Sequence, residues 1–239
     1  MQPTPPAHSA SDLRHSLRKL YQTPTLEKPA WGNSADAGFI GTHLIERSIA
    51  GLARELTGKL IDVGCGEQPY KPYFKHIEER VACDFDAGRG TVDFACPAHA
   101  IPVEDGSFGA ILCTEVLEHV PDPLAVWREF NRILQPGGRV LLSTPMYWPP
   151  HELPYDFYRY PEQGLRYLAT TAGFRVLELW PRGGRWAFFG QVGMHVLHHY
   201  FRPTFMRRWW NGIYLLIDRK RNNPDLTLGW TVLAESTGR

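Results

Sequence analysis

The sequence predicts an α/β fold, a mostly parallel sheet of seven strands with helices on both faces. Three observations predict it. Seven short apolar, β-prone runs follow one another: KLIDVG, RVACD, TVDFA, GAILCT, GRVLLSTP, FRVLELW and a last run over residues 226–234. Segments of helical period lie between most of them, the alternation that builds parallel strands through crossover helices. With 239 residues, 43% of them hydrophobic and 21% charged, the chain can bury one sizeable core.

Taken in order, residues 1–33 are punctuated by proline, carry one short helical pattern through Leu13, Leu17 and Leu20, and read as an N-terminal helical arm, partly mobile. Residues 34–56 place Phe39, Ile40, Leu44, Ile45, Ile49, Leu52 and Leu56 at helical spacing with charges interleaved, and Gly58 stops this helix before the first strand. Further helices are predicted over 70–77, over 124–134 between a PDP start and a PGG stop, and over 161–172. Residues 183–223 form an aromatic, basic insert before the last strand. The expected organisation is one domain over 34–239, with its core at 58–180.

Twenty-six Lys and Arg against 25 Asp and Glu leave a formal charge of +1, which removes the global footprint of a dedicated nucleic-acid binder. The opening MQPTPPAHSASDLRHS lacks the apolar stretch of a secretory signal. The apolar stretch over 186–201 is interrupted by His195, His198 and His199, so no membrane span is expected. Cys65, Cys83, Cys96 and Cys113 show no CxxC pairing and read as buried free thiols in a reducing compartment. These features predict a cytoplasmic protein.

The sharpest local signal is LIDVGCGEQPY, a strand running into Asp62 and then Gly64 and Gly66. Glycines let the chain turn tightly and bring bare backbone against a ligand, and a following helix N-terminus would add free N–H groups. Asp84 closes the next strand, where doubly wound folds place a carboxylate for a ribose diol. Together they point to an adenosine-containing ligand at the carboxyl ends of the strands. A dinucleotide site needs a third glycine, and the loop GCGEQP has none, which argues against a nicotinamide-dependent oxidoreductase.

DVGCG, CDFD, the P-x-x-DGSF turn, EVLEHV, the LxPGG turn and STP stand in the order and spacing of a known family. Over about residues 60–180 the chain resembles the class I S-adenosylmethionine-dependent methyltransferases of the small-molecule type, which have a Rossmann-like seven-stranded mostly parallel sheet. The resemblance implies S-adenosyl-L-methionine as cofactor. Backbone around Asp62, Gly64, Cys65 and Gly66 would hold its methionine end, Asp84 the ribose hydroxyls, and Phe85 would lie against the adenine. Pro97 stands where the family often has an acid, so the Ala98 backbone or Asp93 would meet the adenine amine. Glu115 completes the cofactor set.

Methyl transfer is an in-line displacement helped by alignment and desolvation, and a base is needed only if the acceptor carries a proton of high pKa. Glu115, Glu118 and His119 form E-x-x-E-H after the fourth strand. His119 could be a general base; the three could hold a divalent ion; or the motif is a turn with Leu117 packed inward. The segment PMYWPPHELPYDFYRYP reads as an aromatic lid, with His151 and Asp156 as base or ligand and Arg159 meeting an acidic acceptor or pairing with Asp156. In the insert, Phe205, Trp209, Ile213 and Ile217 share one helical face among Arg185, Arg202, Arg207, Arg208, Arg219, Lys220 and Arg221. This stretch, 186–221, would cover the acceptor pocket, meet a membrane or a second copy, or meet nucleic acid, the last least expected. The expected function is methyl transfer, at oxygen, to a small-molecule or a carrier-, lipid- or glycan-conjugated acceptor. A non-catalytic cofactor-binding partner subunit is the alternative from another class.

Overall fold

The computed structural model describes residues 9–24, 33–88, 90, 92–201, 203–221 and 223–238; Arg202 of the basic set and Thr91 of TVDFA lie outside the described residues, as does the rest of the 1–33 segment. Seven strands form one sheet in the order β3-β2-β1-β4-β5-β7-β6. They are β1 (Leu60–Val63), β2 (Arg80–Asp84), β3 (Phe94–Ala95), β4 (Phe108–Thr114), β5 (Leu134–Pro145), β6 (Phe174–Pro181) and β7 (Gly229–Ser236). β1 runs parallel to β2 and β4, and β4 to β5, while β7 lies antiparallel between β5 and β6. The chain order therefore reverses beside β1, which opens a crevice at the carboxyl ends of β1 and β4.

Alternation along the strands divides the core. Ile61, Val63, Ile111 and Cys113 face one side, where Trp127 and Phe130 of α3 (Pro123–Ile133) and Leu165 of α4 (Glu162–Thr171) cover them. Leu60, Leu112, Leu141 and Leu233 face the other, under α1 (Ala10–Gln22) and α2 (Phe39–Leu52). α1 opens on a capping box between Ser9 and Asp12 and buries Leu17 and Leu20 completely. Asp122 caps α3, accepting from the Ala125 N–H, as the PDP turn predicts. All four cysteines are free and buried.

Three elements differ from expectation. The helix foreseen over 70–77 is a 3-10 turn at Lys71–Phe74. Gln68 stands in the left-handed region at φ 54 just before this turn, and Pro72 lies at its start, where proline is tolerated, yet the turn does not lengthen into an α-helix. The PGG at 136–138 falls inside β5, whose pairing with β4 slips between Phe108 and Ala110, rather than merely ending α3. The insert is a pair of helices, α5 (Arg185–Leu197) and α6 (Thr204–Arg221). Phe205 and Trp209 of α6 are 70% and 66% exposed, so the face they share looks outward. The inner face is set instead by Asn211 and Asp218, which are fully buried. Among the described residues no helix is long and apolar enough to cross a membrane.

Candidate active site

At the end of β1 the chain turns through Gly64, at φ 69, whose N–H and that of Cys65 donate to Cys83 O at 2.8 and 3.1 Å. A Cβ on Gly64 would stand 2.2 Å from Val116 Cγ2, so the β1 and β4 turns touch there and no side chain fits. Gly66, at φ 49, faces open space, and its N–H donates to Asp84 Oδ2 at 2.9 Å. Asp84 Oδ1 accepts from the Asp86 N–H at 3.0 Å. A carboxylate has room for about four hydrogen bonds, so Asp84 can still accept from a diol. Phe85, 77% exposed, lies beside it in sequence, where a planar ring could be covered.

Asp62 supplies the feature that selects a ligand. Its Oδ1 is buried without a hydrogen-bond partner, and burial, with the Asp84 charge added, pushes its pKa up to about 7. Two carboxylates converging beside an open glycine turn favour a positively charged group. The sulfonium and ammonium of S-adenosylmethionine meet that demand, and the residues present fit the cofactor. Ala98 is buried near the end of β3. Asp93 Oδ2 accepts from the Ala82 N–H at 2.8 Å, which ties this carboxylate to the β2 backbone. The four-residue 3-10 turn also removes the helix N-terminus expected after the loop.

After β4 the structure corrects the role of Glu115. Its residue takes φ 53, and its Oε1 accepts from Ser143 Oγ at 2.7 Å and pairs with Arg182 Nη1 at 2.9 Å. The carboxylate is thus engaged by β5 and Arg182, and Glu115 is not in the cluster of possible metal ligands among the described residues, which is Glu118, His119 and His151. Arg182, almost fully buried, also donates to Thr144 O at 2.5 Å. No spacing in the sequence marks it; in the structure the guanidinium fits because position 229 is a glycine, where a Cβ would collide with it.

Glu118 is fully buried and neither carboxylate oxygen has a hydrogen-bond partner among the described residues. Burial, reinforced by Glu115, drives its pKa well above the usual carboxylate range. The next residue, His119, hydrogen-bonds Tyr155 O through Nδ1 at 2.8 Å. A carbonyl only accepts, so Nδ1 carries the proton and Nε2 keeps its lone pair in the neutral ring. That Nε2 stands 3.9 Å from Glu118 Oε1 and 3.9 Å from Glu152 Oε2. The His151 ring meets the His119 ring edge-on at 4.7 Å. Ligand atoms of Glu118, His119 and His151 all lie within 4.8 Å of one another, so His151 takes the place foreseen for Glu115 in a metal set.

Asp156 is spent on the loop. It holds Arg159 through both oxygens, at 2.6 and 2.9 Å, and accepts from the His151 N–H at 3.1 Å. The Arg159 guanidinium keeps its pKa far below the ordinary value, which makes it a poor base. Arg159 in turn donates to Trp148 O, so this ion pair fastens the lid to itself. α5 backs the lid, with Tyr147 against Phe188 at 5.2 Å and Trp148 against His195 at 4.9 Å.

A glycine turn flanked by Asp62 and Asp84 is thus joined through Val116 to the histidine-bearing turn beside the aromatic loop. The methyltransferase-domain family matches residues 40–213, nearly three quarters of the chain, and the chain belongs to that family. Ubiquinone biosynthesis O-methyltransferase of Xanthomonas axonopodis pv. citri is 33% identical over 59% of this chain and 53% of its own length. The protein of the same name from Pseudomonas paraeruginosa is 28% identical over 71% of this chain and 58% of its own. The chain thus spans little more than half the length of these relatives. Among solved structures, the [4+2]-cyclase SpnF superposes with a TM-score of 0.55 at 16% identity, covering 95% of this chain and 93% of that one. A candidate methyltransferase in complex with the Haloferax volcanii Trm112 methyltransferase activator gives 0.58 at 18% identity, over 86% of this chain and 96% of that structure. At such identities the likeness is one of fold: the S-adenosylmethionine-dependent class I methyltransferase fold. A cyclase on it shows that the scaffold does not fix the reaction.

Proposed function

We propose that this protein transfers the methyl group of S-adenosylmethionine to an oxygen of a small-molecule acceptor, free or carried on a lipid, glycan or carrier. The observation that carries the reading is His119, its Nδ1 proton held by Tyr155 O and its Nε2 lone pair turned inward beside Glu118. Relatives named as O-methyltransferases support oxygen as the acceptor atom.

The cofactor, when bound, supplies an electrophilic methyl group on a cationic sulfur. Asp62 and Asp84 attract and orient that cation, and the Gly64–Val116 contact sets the distance between donor loop and acceptor turn. The aromatic lid, pinned by Asp156 and Arg159, excludes water from the acceptor. His119 Nε2 would take the acceptor's hydroxyl proton as the C–O bond forms and the methyl–sulfur bond breaks, the sulfur leaving as a neutral thioether. At 3.9 Å Glu118 Oε1 is too far to hydrogen-bond Nε2, so that lone pair stays unengaged, and the buried carboxyl group would lie beside the imidazolium formed on proton uptake.

A metal-assisted version rests on the same cluster. Two imidazoles and one carboxylate with unsatisfied oxygens fit a transition-metal dication better than Mg²⁺, which prefers oxygen ligands. Such an ion would lower the pKa of a bound hydroxyl, and Glu118, His119 and His151 would hold it.

Calorimetry with S-adenosylmethionine and S-adenosylhomocysteine, followed by labelled-methyl transfer to a panel of phenols, sugars and carboxylic acids, tests the proposal. His119→Ala should abolish transfer and leave cofactor affinity intact; transfer at the wild-type rate would remove His119 from the chemistry. Full activity in excess chelator would dismiss the metal version. Cofactor binding with no turnover on any acceptor would favour a non-catalytic subunit.

A further inference from the structure

The apolar ridge along the outside of α6 has no role in the site described above. At about 100° per residue, Phe205, Trp209, Gly212 and Leu216 fall on one stripe. Phe205 and Trp209 are 70% and 66% exposed, and Leu216 is 50% exposed. Gly212 has nothing within 4 Å of where a Cβ would stand, so the ridge is unobstructed along its length. Arg208 and Arg219 border the stripe on one side and Lys220 on the other, all exposed. The one acid of this helix, Asp218, is buried on the opposite face and bound by Tyr21 and the N–H groups of Gly184, Trp186 and Ala187. The outer face of α6 therefore carries apolar bulk and positive charge only.

We infer that α6 docks this protein on the surface of an anionic lipid bilayer, lying in the interface with Phe205, Trp209 and Leu216 inserted and the basic borders at the headgroups. Charge decides the occupant. A second copy placed face to face across a two-fold axis would set the cationic borders of the two copies against each other, which repels, whereas anionic headgroups complement both borders. The length of the helix and its flanking cations suit lying on a membrane, not crossing it. α6 is fixed to α5 by Trp210 Nε1 donating to Gly190 O at 2.9 Å, so the surface is presented by a packed hairpin.

Flotation of the purified full chain with vesicles of phosphatidylcholine alone, and of phosphatidylcholine mixed equally with phosphatidylglycerol, tests this. The protein should float with the mixed vesicles only, its tryptophan emission should shift to the blue, and binding should fall as salt is raised. Trp209→Glu with Phe205→Glu should abolish binding, and Arg208→Glu with Arg219→Glu should weaken it about tenfold or more. Both sites are exposed, and unchanged cofactor affinity shows that each variant is folded. No flotation of the wild type with either vesicle overturns the proposal, as does equal flotation of the variants. Self-association or oligonucleotide binding that Trp209→Glu abolishes, without vesicle binding, assigns the ridge to another occupant and equally overturns it.

Discussion

A carboxyl group with a pKa near 7 is a sensor of what binds beside it, and Asp62 is placed to act so. Its folded value lies above the roughly 4 of an unfolded aspartate, so its contribution to stability is full below about pH 4 and is lost as pH rises through about 7. Ionised Asp62 thus costs the cofactor-free protein on the order of 2–4 kcal/mol at alkaline pH. A bound cation reverses the preference. Binding of S-adenosylmethionine below pH 7 should release a proton, seen as a dependence of calorimetric heat on buffer ionisation enthalpy, and Asp62→Asn should abolish it. Asp84→Ala should weaken the cofactor by about 2 kcal/mol through lost charged hydrogen bonds; unchanged affinity would remove Asp84 from the ribose position. The sequence locates both aspartates, because their placement follows from strand ends. It does not foresee the partners of Glu115 and Asp156, because an argument from spacing cannot see Arg182 or Arg159 pairing with their oxygens.

Among elements, the β1 and β4 turns make a tight joint at Gly64 and Val116. Gly64→Ala combines left-handed strain with a clash against Val116, and should cost about 2–4 kcal/mol in denaturant titrations. Adding Val116→Ala should recover the clash but not the strain, leaving a coupling energy in the double-mutant cycle; strictly additive losses would separate the two turns. The strands and α3 are readable from sequence, since alternation and the Asp122 cap are local signals. The 70–77 helix is not, because apolar spacing alone cannot tell a 3-10 turn from an α-helix over so short a segment. α6 shows the other limit: periodicity says which residues share a face, while Asp218 and Asn211, needing buried partners, decide which face turns inward.

Over the whole molecule, the sheet order follows from the crossover connections, but the antiparallel β7 depends on the hairpin of helices that precedes it. The N-terminal helix belongs to the same core as α2 and the strand face beneath it. Leu20→Ala should therefore cost about 2–4 kcal/mol and lower the melting temperature of the entire domain in one transition. A separate early transition would show α1 to be an independent appendage.

The carboxylate of Asp218 joins these levels. Tyr21 of α1 and three N–H groups at the start of α5 converge on it, while its own backbone belongs to α6. Four donors saturate a carboxylate, so this group is a keystone with no spare valence. Three helices distant in sequence are bolted at one point, and a force applied to the outer hairpin is passed to the helix at the far end of the chain. The surface that we assign to lipid and the first helix of the chain therefore move as a single lever.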